Sequence, residues 1–132
     1  MNIISIRPRV LVIEDNQDHI ALINILNNEF NFEIDVGHSI FDFLQFIKDS
    51  QYDIILCDLN LEYKMEGLDI LKSFKNFHTR RLDSKIYAYT NNTNEEKFFL
   101  DKGFNGVIRK NLNELKQLFT NLVIIKSLNL TY

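Results

Sequence analysis

The chain is 132 residues long, carries a net charge of -3, and is 45% hydrophobic and 25% charged. That length suits one domain with a core of its own, and the negative balance excludes bulk electrostatic attraction to nucleic acid or acidic membrane surfaces. Its single cysteine, Cys57, lies inside an apolar run with no second thiol to pair with, which fits a small buried residue in a reducing compartment.

Residues 1–8 read as a short leader ending at Pro8, without the charged start, long apolar stretch and cleavage site of a signal peptide. No apolar run approaches the ~20 residues of a membrane-spanning helix, so a cytoplasmic protein is expected. The first strand is predicted over 9–14. A helix follows, whose His19, Leu22, Ile23, Leu26 and Phe30 recur at helical spacing; on that stripe His19 is expected to be a satisfied core histidine. Residues 32–36 read as the second strand, and Ser39 as the N-cap of a second helix with Ile40, Phe43, Leu44 and Ile47 inward. The third strand covers 53–58, and Gly67 or its neighbours open a third helix that turns Leu68, Leu71 and Phe74 inward. The fourth strand is 85–90. Thr93 or Asn94 then caps a helix over 95–102 that stops at Gly103. Residues 107–109 form the fifth strand, and a last helix begins near Asn113 with Leu115, Leu118, Phe119 and Leu122 on one side.

Five strand–helix units in strict alternation call for an α/β fold, a five-stranded parallel sheet doubly wound with helices on both faces. Ligands of such sheets bind outside the carboxyl ends of the strands. At those ends the sequence gathers Glu14 and Asp15 after the first strand, Asp58 on the third, Thr90 on the fourth and Lys110 after the fifth. Three carboxylates at one rim repel one another unless a cation neutralises them. A hard-metal site with one carboxylate left for chemistry is therefore expected. Each residue also has a plainer reading: Glu14, Asp15 and Asn16 suit a helix start, Asp58 to Asn60 a turn, Thr90 to Asn92 a loop, and Lys110 a solvated charge. The plain readings require five coincidences at one sheet edge.

Acid pair, aspartate, hydroxyl and lysine on successive strands resemble the receiver domain of bacterial two-component response regulators, from about residue 9 to residue 119. The resemblance implies a flavodoxin-like, receiver-type sheet with five helices, a domain over 9–126 and a tail over 127–132. It implies that Asp58 is the nucleophile, accepting a phosphoryl group from a histidine kinase or histidine phosphotransferase. Mg2+ is the implied cofactor, held directly by Asp15, mainly through water by Glu14, and by an Asp58 oxygen and the Asn60 carbonyl. Lys110, Thr90 and the backbone N–H of Asn91 are the implied partners of the phosphoryl oxygens, and Asn60 and Asn92 tune its lifetime. Such a chain is a phosphoacceptor that assists its own transfer rather than an enzyme. A free-standing phosphatase would need an acid where Asn60 stands.

The chain departs from that pattern in several places. Family members usually carry Tyr or Phe three residues before the lysine, whereas Val107 stands here and has no ring to swing between buried and exposed states. Asn91 replaces a small residue, the 58–67 loop is one residue longer with Glu62 where Pro is typical, and Asn111 follows Lys110 where many relatives have Pro. These features motivate a second reading, a phosphorylation-independent interaction module that keeps fold and site as relics. With no output domain after the last helix, a stand-alone receiver or a piece of a longer regulator is expected. Phe41, Phe46, residues 98–100 and 123–125 and Leu128 exceed one buried face. Part of that surplus suggests docking of a kinase, a phosphotransferase or a second copy along the fourth and fifth elements; neither nucleic acid nor membrane is an expected partner.

Overall fold

The apolar runs become five parallel strands in a computed structural model that describes residues 7–59, 66–78, 84–91 and 94–129. They are β1 (Arg9–Ile13), β2 (Glu33–Gly37), β3 (Ile54–Asp58), β4 (Lys85–Tyr89) and β5 (Gly106–Ile108), each within one residue of its expected ends. Between and after them lie α1 (Gln17–Phe30), α2 (Ile40–Asp49), α3 (Glu66–His78), α4 (Glu96–Lys102) and α5 (Leu112–Asn129). The strand order is β2-β1-β3-β4-β5, so the chain reverses its winding between β1 and β3. A crevice at the carboxyl ends follows from that reversal.

Alternation along the strands splits the core in two. Leu11, Ile13, Ile55, Cys57, Ile86 and Ala88 point to one face, where Phe43 of α2, Ile70 and Phe74 of α3 and Phe99 of α4 cover them. Val10, Val12, Ile54, Leu56 and Tyr89 point to the other, against Ile23 and Leu26 of α1 and Leu115, Phe119 and Leu122 of α5. Both faces of the central strands are dry, which explains why they read as unbroken apolar runs rather than alternating ones. Cys57 is fully buried, as expected. Phe46 packs partly against the α2–α4 core, whereas Phe41 stays 79% exposed.

Helix ends are set by local hydrogen bonds. The Asn16 side chain accepts from the N–H groups of Asp18 and His19 at the start of α1, and Ser39 accepts from Asp42 N–H at the start of α2. The expected cap of α4 is not formed by Asn94: the helix begins one residue later than expected, with Glu95 at the cap position and no side-chain cap bond. Thr93 lies outside the described residues. Among the described residues no helix is long and apolar enough to cross a membrane.

Gly103 closes α4 in the left-handed region (φ 119°), as its place after Lys102 suggests. Lys75 of α3 donates to the Lys102 carbonyl at 2.9 Å, and a Cβ on Gly103 would collide with that ammonium. Gly103→Ala therefore adds backbone strain and displaces this cap. A loss of about 1–2 kcal/mol is expected by chemical denaturation; an unchanged midpoint would mean that neither contributes.

Candidate functional site

Strand register brings the site residues together. Ile13 lies opposite Cys57 across β1 and β3, so the next residues, Glu14 and Asp58, are neighbours at the rim. Asp58 lies opposite Tyr89 and Tyr89 opposite Ile108, which sets Thr90 and Lys110 beside them. Residues two apart share a face. Glu14 continues the series of Val10 and Val12, Asp58 that of Ile54 and Leu56, and Lys110 that of Ile108. All three therefore emerge on the α1/α5 side of the sheet.

The Glu14 main chain is clamped from both sides. Its N–H donates to the Gly37 carbonyl at 2.9 Å, and its carbonyl accepts from His38 Nδ1 at 3.0 Å. Oε1 takes the N–H of Asn16 at 3.0 Å, while Oε2 meets Lys110 Nζ at 2.7 Å. The same ammonium lies 3.3 Å from Asp58 Oδ1, with only 5% of the Lys110 side chain exposed. The ring of Tyr89 sits 5.2 Å from the ammonium, a favourable place for a cation.

Carboxylate oxygens of Glu14, Asp15 and Asp58 all lie within 4.8 Å of one another. Glu14 and Asp58 are buried and Asp15 is exposed. Unit charges ~4 Å apart interact by about 4 kcal/mol at an effective dielectric of about 20. One ammonium among three carboxylates thus leaves a strong residual pull on a cation. The donors are hard oxygens, and they open into a cleft of about 520 Å3 lined also by Asn16, His19, Thr90 and Asn91. A sparse oxygen set with room for retained water suits Mg2+, so the residues fit the ion that the resemblance implied. Burial holds the Glu14 carboxyl above the usual carboxylate range; the Lys110 bond and the Asn16 N–H oppose this, and the neighbouring Asp58 charge adds to it. Burial also raises the Tyr89 phenol, with help from the Glu14 and Asp58 charges.

Of the expected site residues, Glu14, Asp15, Asp58, Thr90, Asn91 and Lys110 line one cleft. Asn60 and Asn92 lie outside the described residues. Val107 is half-buried and packs on the opposite, α2–α4 core. Asn91, noted as a departure, accepts the Lys110 backbone N–H on Oδ1 at 3.2 Å and so ties the two loops together. His19 corrects the expectation of a core histidine: it lines the cleft, with Nδ1 3.0 Å from Lys110 Nζ and 3.5 Å from Glu14 Oε2. Position along α1 held the missed signal. A crossover helix runs back antiparallel to its strand, so a residue in its first turn sits above the strand ends rather than over mid-sheet.

The family model for the response regulator receiver domain matches residues 10–122. The autoinducer 2 sensor kinase/phosphatase LuxQ of Vibrio parahaemolyticus is 28% identical over 108 residues, which cover 80% of this chain and 12% of that protein. The chain thus spans about an eighth of that relative. The receiver domain of the Saccharomyces cerevisiae response regulator Ssk1, solved with the histidine phosphotransfer protein Ypd1, superposes with a TM-score of 0.77 at 20% identity, covering 91% of each chain. The Thermotoga maritima response regulator TrrA, solved with Mg2+ and BeF, gives 0.71 at 21% identity over 87% of this chain and 98% of that one. At such identities these structures show a common fold.

A carboxyl whose pKa is raised on folding adds stability below its unfolded value and withdraws it as pH climbs through the folded value. For Glu14 that decline starts near pH 4.5, its ordinary value. In cation-free buffer, the unfolding free energy of the wild type minus that of Glu14→Gln should fall as pH rises above that point. A difference that is flat or grows with pH would contradict the raised Glu14.

Proposed function

The chain belongs to the response regulator receiver domain family, and on that premise we propose that it is a phosphoacceptor of a two-component relay, with Asp58 as the phosphorylated residue and Mg2+ as cofactor. One observation carries the reading: Asp58 lies in an open cleft with the Lys110 ammonium 3.3 Å away and two further acids beside it. In the proposed transfer an Asp58 oxygen attacks the phosphorus of a phosphohistidine. The new P–O bond forms as the P–N bond breaks, and the departing imidazole keeps the electron pair.

Asp15, Glu14 and Asp58 would hold the ion, with the Asn60 carbonyl as the further ligand. Bound there, Mg2+ supplies positive charge that offsets the acids and polarises the phosphoryl oxygens. Lys110 gives up its contact with Asp58 and donates to a phosphoryl oxygen instead. The Thr90 hydroxyl and the Asn91 N–H serve the remaining oxygens, while Asn60 and Asn92 regulate attack by water on the product. Val107, lacking a ring, transmits the change by a different rearrangement or only weakly.

The donor class is a histidine kinase or a histidine phosphotransfer protein. Sensor kinases among the relatives and the Ssk1–Ypd1 pair support this class. Such a relay operates in the cytoplasm. Half-exposed Phe98 and Leu100 on α4 offer a face for a partner or a second copy.

Incubation with acetyl phosphate and Mg2+ should add one phosphoryl group by intact mass, with none on Asp58→Asn and none when the cation is chelated. An unmodified wild type under these conditions would favour the phosphorylation-independent interaction module, whose partner binding would survive Asp58→Ala.

A further inference from the structure

The Lys110 ammonium carries three N–H donors and accepts nothing. Two carboxylates pair with it, Glu14 Oε2 at 2.7 Å and Asp58 Oδ1 at 3.3 Å, and His19 Nδ1 lies within hydrogen-bond distance at 3.0 Å. Since lysine only donates, Nδ1 is the acceptor and the imidazole proton sits on Nε2. At 3.5 Å the Glu14 oxygen is the more distant neighbour of Nδ1. The main chain around His19 is held as well. Its N–H donates to the Asn16 cap at 3.1 Å, and its carbonyl accepts the Tyr89 hydroxyl at 3.3 Å. That Tyr89 ring is the one beneath the ammonium.

We infer that His19 is a positioning residue for Lys110, a neutral third acceptor that keeps the ammonium aimed at the phosphoryl position. The inference rests on the phosphoacceptor reading and extends it to a residue of α1. A charged acceptor here would compete for the cation and repel an incoming phosphoryl group. Neutral imidazole does neither, yet a hydrogen bond from an ammonium is about twice as strong as one between neutral groups. Once Asp58 carries phosphate and the cation draws on Glu14, His19 is the partner of Lys110 whose bond neither change removes.

The test compares wild type, His19→Leu, which has no acceptor, and His19→Asn, whose Oδ1 replaces Nδ1. Thermal unfolding first establishes that each is folded, with His19→Met as the substitute should the Leu variant fail. Phosphorylation by acetyl phosphate with Mg2+, followed by intact mass, should slow about tenfold in His19→Leu and return to within about threefold of wild type in His19→Asn, a difference of the size expected for one charge-assisted hydrogen bond. Equal rates in wild type and His19→Leu would overturn the proposal. So would an Asn variant as slow as Leu, which would make the role one of shape. A second readout needs no phosphate: the 15N-detected ammonium signal of Lys110 should persist in wild type and His19→Asn and be lost in His19→Leu. Should wild type take no phosphate, the phosphoacceptor reading fails, and this signal alone decides on His19. Its survival in the Leu variant overturns the positioning role; its loss there with retention in the Asn variant upholds it.

Discussion

A single buried ammonium holds the rim of this sheet together. Lys110 Nζ touches Glu14 and Asp58 across β1, β3 and β5, joining residues 96 and 52 positions apart in the chain. Without that charge, two buried carboxylates would face each other with only a third acid nearby. With it the cluster is tolerable but still negative, and the Glu14 carboxyl stays above its ordinary range chiefly because it is buried, with a smaller push from the Asp58 charge. The residual negative charge of that rim favours a cation beside it, and the lysine lies 3.3 Å from Asp58 Oδ1. This contact matters structurally because burying an unpaired charge is far costlier than burying an ion pair.

Much of this was legible in the sequence because parallel strands buried on both faces leave a simple trace. Runs such as Ile54 to Cys57 end abruptly in a charge, and each such end proved to be a strand's carboxyl end within one residue. Strict strand–helix alternation then left the doubly wound topology as the economical choice, and the carboxyl-end rule placed the acids together. Gly103 and Ser39 were legible for local reasons, since a cap depends on residues within one turn. The α4 cap was not: Asn94 has the right chemistry, yet Glu95 takes the cap position and its side chain makes no cap bond. Phe99 of that short helix is buried in the α2–α4 core, whereas a cap contributes only about 1 kcal/mol.

His19 shows what periodicity leaves out. A helical stripe tells which way a side chain points around the axis, but not how far along the sheet it lies. Ile23 and Leu26, further along the same stripe, are buried over mid-sheet. His19, a turn earlier, clears the strand ends and joins the acids. The Lys110–Glu14 contact was likewise invisible locally, since it depends on the register of three strands. Asn91 reads as an oddity in the sequence, while in the fold its side chain pins the backbone of Lys110. His19 and Asn91 thus converge on the placement of one lysine.

Binding of Mg2+ at the rim tests the central claim most directly, and amide NMR shifts during a Mg2+ titration of the full chain would read it. The expected result is a saturable one-to-one response, largest at Glu14, Asp15, Asp58 and Lys110 and lost in Asp15→Asn. A response that fails to saturate, or that centres on another part of the sheet, would contradict an acidic rim that, with Lys110 paired to two of its acids, still binds a divalent cation.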